Sequence, residues 1–142
     1  MVLNEDIGRQ EQDDAPNELS FAVIGAALEV HRTLGPGFLE AVYEEALCVE
    51  LQLRGITYAR QAGVTLSYKG RPIGEGRVDL LVGGALIVEL KAVEALVPVH
   101  IAQVLSYLRA TDHRLGLLIN FNVPSLKQGI KRVVFTPKPL KP

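Results

Sequence analysis

Apolar and polar positions follow two rhythms along this chain. Phe21, Ile24, Leu28 and His31 recur at spacings of three and four, which predicts a helix beginning near Asn17, a suitable N-cap. Leu34-Gly35-Pro36-Gly37 stops it, and Phe38, Val42, Ala46, Val49 and Leu53 line one side of a second helix ending at Gly55. From Thr57 the period becomes two. Thr57–Tyr68 and Ile73–Val82 read as strands joined by a Lys69-Gly70-Arg71 turn, and Gly83-Gly84 leads into a short strand, Leu86–Lys91. Pro98 opens a third helix through about Ala110, with Ile101, Val104, Leu105 and Leu108 toward a core. Leu115–Phe121 is a strong strand and Lys131–Phe135 a weaker one.

The resulting order is α-α-β-β-β-α-β-(β). The strands over 73–82 and 86–91 are apolar on both alternating faces, which places them inside a sheet covered by helices on each side. The expectation is a mixed α/β (α+β) fold in three layers, with helices flanking a central mixed sheet.

Composition adds boundaries to this picture. At 142 residues, 48% hydrophobic and 22% charged, the chain suits one soluble domain. A single cysteine, Cys48, excludes an internal disulfide and a cysteine-rich metal site; within its helical pattern it reads as a buried, inert thiol. No apolar run is long enough for a bilayer, and the start lacks a basic-then-apolar signal, so a cytoplasmic location without membrane contact is expected. The formal net charge of −1 is unevenly spread. Residues 1–18 carry six acids against one base, leaving 14 bases and 10 acids beyond them. Residues 1–16 read as a disordered acidic leader, 17–135 as the folded domain and 136–142 as a loose proline-rich tail. The excess positive charge of the domain is compatible with a polyanionic partner and equally with an ordinary solvated surface.

Three charged residues interrupt apolar strands: Asp79, Glu89 and Lys91. Burying carboxylates is costly unless something pairs with or coordinates them. A two-residue loop at Gly83-Gly84 would put Asp79 and Glu89 on opposite faces. A three-residue loop, Gly83-Gly84-Ala85, sets Val82 against Leu86 and Asp79 against Glu89, with Lys91 on the same face. The longer loop is predicted because it gathers three costly charges into one site. Adjacent carboxylates repel, and a divalent cation removes that conflict; an open, oxygen-only set suits Mg²⁺ or Mn²⁺ better than zinc. A neighbouring lysine can orient or deprotonate water or hold a phosphate, and together these are the parts of metal-assisted phosphodiester hydrolysis. No organic cofactor is indicated: Gly35-Pro36-Gly37 lacks the lysine and hydroxyl of a phosphate loop, and Ser67, Ser106 and Ser125 lack a nucleophile elbow.

Arg77-Val78-Asp79 followed by Glu89-Leu90-Lys91 resembles the motif of the PD-(D/E)XK nuclease superfamily, with Val78 at the proline-like position. Gly37-Phe38-Leu39-Glu40-Ala41-Val42-Tyr43 is similar to the G-x-x-E-x-x-Y signature of the bacterial GxxExxY family, assigned to that superfamily. The resemblance runs from about Glu18 to Phe135. It implies a restriction-endonuclease-like core and a metal-dependent nuclease, acting on DNA rather than RNA. By the same resemblance Asp79 and Glu89 bind the metal, the Leu90 backbone carbonyl adds a ligand and Lys91 assists the water. Glu40 would complete the acidic cluster, although its own surroundings, beside Glu44 and Glu45, also suit a solvated helix glutamate. Tyr43, one turn on, either holds Glu40 or packs. Gln103 and Tyr107 resemble the Gln-x-x-x-Tyr motif of RecB-type members; Gln103 would orient active-site groups or lie at a helix edge, and Tyr107 is expected to pack. His31 and His100 read as structural, and His113 as a loop residue.

Lys69, Arg71, Lys127, Lys131 and Arg132 are the candidate contacts to nucleic-acid phosphates. The length leaves no room for a separate sequence-reading domain, so a homodimer or partner protein is expected to guide target choice. Two rivals remain: a non-catalytic module that binds nucleic acid or protein on the same fold, and a hydrolase of small phosphoesters.

Overall fold

The computed structural model describes residues 2–137, with side chains described from residue 15 onward. Helix α1 (Val2–Leu34) and helix α2 (Glu40–Leu53) precede a long hairpin of β1 (Tyr58–Tyr68) and β2 (Arg71–Val82). Strand β3 (Leu86–Lys91), helix α3 (Pro98–Thr111), strand β4 (Leu115–Asn120), a 3₁₀ turn (Leu126–Gly129) and strand β5 (Ile130–Val134) follow. The sheet order is β1-β2-β3-β4-β5, antiparallel except for the parallel β3–β4 pair that α3 connects. Helices α1 and α2 cover one face through Val23, Ala26, Val30, Tyr43, Leu47 and Leu51, and α3 covers the other through Val104 and Leu108. This is the expected three-layer, restriction-endonuclease-like arrangement. Strands β3 and β4 lie at its centre, with every residue from Leu86 to Leu90 and from Leu115 to Asn120 buried.

Several expectations need correction. Helix α1 starts at Val2, so the backbone over residues 2–16 is helical instead of irregular, Asn17 is not a cap, and Pro16 lies inside the helix. The segment holds good helix formers in Leu3, Glu5, Arg9, Gln10, Glu11, Gln12 and Ala15, and the helix runs on through Asp13, Asp14 and Pro16. Thr136 and Pro137 have no regular structure, and the rest of the tail lies outside the described residues. The helix faces are also rotated. On α2, Val42, Val49 and Leu53 are 40%, 48% and 78% exposed, whereas Tyr43, Leu47, Cys48 and Leu51 are buried. On α1, Phe21 and Leu28 face outward while Val23, Ala26 and Ala27 pack inward. The small alanines let α1 approach its neighbours closely, which a face chosen by large apolar residues does not anticipate. Finally, only the end of β2 is interior; its first residues, from Arg71 to Glu75, extend as an exposed hairpin.

Candidate active site

The site begins with the β2–β3 turn. Gly83 and Gly84 take φ values of 57° and 68°, which a glycine adopts without the steric cost a side chain would add. The turn has three residues, and Val82 faces Leu86, the predicted register. Pairing continues through Leu81↔Ile87 and Leu80↔Val88, so Asp79 and Glu89 come next.

At that next step the regular ladder gives way to a reciprocal clasp. The Asp79 backbone N–H donates to Glu89 Oε1 at 2.9 Å, and the Leu90 N–H donates to Asp79 Oδ2 at 2.8 Å. Each carboxylate thus takes the place of a backbone acceptor. The N–H and C=O of one strand residue point the same way, so the Leu90 carbonyl faces the β2 side too. Lys91 agrees with this alternation, because its carbonyl accepts the Phe121 N–H on the β4 side.

Burial pushes Glu89 up to about 7, with the negative charge of Asp79 adding to the shift. Asp79 is raised as well, chiefly by burial and then by Glu44, while the Leu90 N–H and the Lys91 charge oppose the rise. Glu40, the first residue of α2, stands exposed at the rim. Its carboxyl is raised by partial desolvation and by Asp79, and Lys91 pulls it back. Asp79, Glu89, Lys91 and Glu40 therefore share one electrostatic neighbourhood.

The loop that delivers Glu40 is fixed by Tyr43. Its hydroxyl donates to the Gly35 carbonyl at 2.7 Å and accepts the Phe38 N–H at 3.1 Å. Its ring stacks on Phe121 at 4.6 Å. Gly37 between these contacts has φ 110°, outside the range of ordinary side chains. Gly37, Glu40 and Tyr43 thus form one device, in which a glycine bends the loop, the tyrosine pins it, and the glutamate is carried to the site.

Two contributors escaped the sequence reading. Gln61 lies opposite Asp79, between the pairs Arg60↔Leu80 and Ala62↔Val78. Its Nε2 donates to Asp79 Oδ1 at 3.2 Å and to Glu44 Oε1 at 2.6 Å. Arg60 Nε holds the other Glu44 oxygen at 2.8 Å. The available signal was the adjacent polar pair Arg60-Gln61 breaking the period of two.

The remaining candidates are distributed over α1, α3 and the two edges of the sheet. Gln103 is exposed on α3, and Tyr107 packs with the α3-side core beneath Gly76. His100 Nδ1 accepts the Val97 N–H at the start of α3, and His31 Nε2 meets the Val123 carbonyl at 2.8 Å, both structural uses. The basic residues form two groups. Lys69 and Arg71 flank the hairpin tip, with Lys69 Nζ over the Tyr68 ring, whereas Lys127, Lys131 and Arg132 belong to the opposite edge of the sheet. Arg132 is engaged with Asn17 and the Phe21 ring.

Among the described residues, no three His, Cys, Asp or Glu side chains group closely enough to hold a metal by themselves. The available donors are two carboxylates and a main-chain carbonyl, an incomplete set of hard oxygens. That set fits a cation that keeps part of its water shell, the habit of Mg²⁺ and Mn²⁺, and does not fit zinc.

A three-layer fold with an acid and a Glu-x-Lys converging where two central strands part defines a restriction-endonuclease-like protein. The chain belongs to the PD-(D/E)XK nuclease superfamily, whose family model matches residues 17–133. No curated protein and no solved structure matches the chain. Among the described residues, no helix is long and apolar enough to cross a membrane.

Proposed function

We propose that this protein is a Mg²⁺- or Mn²⁺-dependent nuclease that hydrolyses DNA phosphodiester bonds. The observation that carries the reading is the clasp of Asp79 and Glu89 at the end of the β2–β3 ladder, with Lys91 beside it. Members of this superfamily are generally dependent on a divalent metal. In this reading Asp79, Glu89 and the Leu90 carbonyl hold the ion, with Glu40 reaching it or its water from the rim. The bound ion supplies Lewis-acid stabilisation of the charge that develops on phosphate.

The chain's own groups do the rest. Lys91 places a positive charge and N–H donors where the phosphate and the attacking water meet. Glu40, raised and at the rim, accepts a water proton more readily than an ordinary carboxylate does. Hydrolysis forms one phosphorus–oxygen bond to water and breaks one to the departing sugar oxygen, which leaves with a proton. Lys69 and Arg71 on the projecting hairpin hold the backbone, and Lys127 and Lys131 form a second group on the far edge. Gln103, exposed on α3, orients nucleic acid in this reading. A homodimer or protein partner supplies target choice, and the compartment is the reducing cytoplasm, in keeping with the single buried Cys48. The narrower GxxExxY assignment belongs to the same proposal and rests on Gly37, Glu40 and Tyr43.

The test is incubation of wild type and Lys91→Ala with supercoiled, linear and single-stranded DNA, in Mg²⁺, Mn²⁺ or EDTA. Cleavage that needs metal and is lost in the variant supports the reading. No cleavage together with no metal binding refutes it and leaves a binding module; metal binding with cleavage only of small phosphoesters refutes the nucleic-acid substrate.

A further inference from the structure

Gln61 is an exposed residue held in an unusual backbone conformation, φ 51° in the middle of a strand. Non-glycine residues occupy that region at a cost, so something nearby over-determines it. The consequence of the conformation is visible in its neighbour. Successive side chains of a strand point to opposite faces, yet Arg60 and Gln61 grip the two oxygens of one carboxylate, Glu44. The same rung marks a change of face on both strands. Tyr58 packs with the α1–α2 side while Ala62, Val64 and Leu66 pack with the α3 side. On β2, Val82 and Leu80 belong to the first side and Val78 to the second. All are even-numbered, so both strands switch at Gln61 and Asp79.

Resting on the nuclease reading above, we infer that Gln61, anchored by Glu44, is a positioning residue that fixes the rotation of the Asp79 carboxylate for metal binding. Gln61 holds Oδ1 and the Leu90 N–H holds Oδ2, so the carboxylate cannot turn about its last bond without losing a hydrogen bond. Each oxygen retains a second lone pair for a cation. The donor is also of the fitting kind. An amide reaches two acids without adding charge, whereas an arginine or lysine there would neutralise the site and compete with the cation. Arg60 spends its charge instead on Glu44 and Glu45, on the far side of that bridge.

Two variants separate orientation from folding. Gln61→Gly relieves the φ and removes the amide; Gln61→Met keeps the length and the φ and removes only the amide. Mn²⁺ affinity is read by calorimetry beside melting temperature and metal-dependent DNA cleavage. The expected result is Mn²⁺ affinity weakened about tenfold to hundredfold in both variants. The melting temperature of Gln61→Gly stays within a few degrees of wild type, and cleavage falls in step with affinity. Unchanged Mn²⁺ affinity in both variants overturns the inference and leaves the nuclease reading standing. Loss of affinity only where the folded state is also lost makes Gln61 structural and overturns it too. A wild type that neither binds Mn²⁺ nor cleaves DNA removes the nuclease reading itself, and this inference with it.

Discussion

Glu89 should make the protein less stable as the solution becomes more alkaline, and Glu89→Gln should remove that dependence. Its carboxyl is 6% exposed and titrates at about 7 in the folded chain against an ordinary value of 4.5. Below the unfolded value both states hold the proton and nothing is lost. Between 4.5 and 7 the folded state still binds a proton that the unfolded state has released, so unfolding becomes easier as pH rises. Above 7 the penalty is constant. At 1.36 kcal/mol per pH unit it amounts to about 3 kcal/mol. Glutamine keeps the acceptor for the Asp79 N–H and has no charge to bury, so Glu89→Gln should differ little from wild type near pH 4.5. At pH 8 it should be more stable by about 3 kcal/mol, roughly 10 °C in melting temperature for a chain of this size. Urea unfolding at both pH values in EDTA measures it. Adding Mn²⁺ at pH 8 should return stability to wild type by linkage and give little to the variant. A difference between the proteins that is equal at pH 5 and pH 8 would refute the reasoning, because Glu89 would then ionise in the fold without penalty.

Lys91→Ala should lower metal-dependent DNA cleavage by about a hundredfold or more while leaving the melting temperature nearly unchanged, checked by nicking and thermal denaturation. Tyr43→Phe removes the hydroxyl that joins Gly35 to Phe38 and should cost about 1–2 kcal/mol in urea unfolding, with cleavage reduced as Glu40 loosens. Asn120 is 1% exposed and its amide satisfies the N–H and C=O of Val93, so Asn120→Ala should destabilise by about 2–4 kcal/mol in the same measurement. Replacing Lys69 and Arg71 together with alanine should reduce the slope of log DNA affinity against log salt by about 2, read by fluorescence anisotropy.

What could be read from the residues differs by element for physical reasons. Strand β3 has the predicted bounds, Leu86–Lys91, because a strand buried on both faces leaves a continuous apolar run between turns. The Asp79–Glu89 register followed from the cost of stranding charges singly, an argument that needs no knowledge of neighbours. The helix faces did not follow. Helix α2 carries two apolar stripes, one through Val42 and Val49 and one through Tyr43 and Leu47, and periodicity cannot say which one meets the sheet. The basic residues were legible as charges but not as a surface, because sheet order sends Lys69 and Arg132 to opposite edges. Gln61 was hidden for a related reason. A strand that changes face midway still shows alternating apolar residues on either side of the change, and only the pair Arg60-Gln61 betrays it.

The same local event explains both the opening in the sheet and the placement of its acids. In an uninterrupted antiparallel pair, the Leu90 N–H would bond to a main-chain carbonyl of β2, and the strands would stay zipped. Here it bonds to Asp79 Oδ2, and the Asp79 N–H bonds to Glu89, so neither N–H is left unsatisfied. The strands can part because the Asp79 carboxylate takes the Leu90 N–H that the β2–β3 ladder would otherwise use, while Glu89 takes the Asp79 N–H, whose β1 neighbour Gln61 stands outside the regular pairing. Parting also leaves the Leu90 carbonyl without its β2 partner beside two acids. Such a gap is unfavourable for the apo chain: it gathers like charges where burial raises them all. It is tolerated because β4, pairing with β3 from Leu86 to Lys91, holds the other side of the strand rigid. A hydrophobic pair would close the sheet at no such cost, and the metal site proposed above accounts for the difference, because a cation held there would offset the repulsion concentrated on this rung.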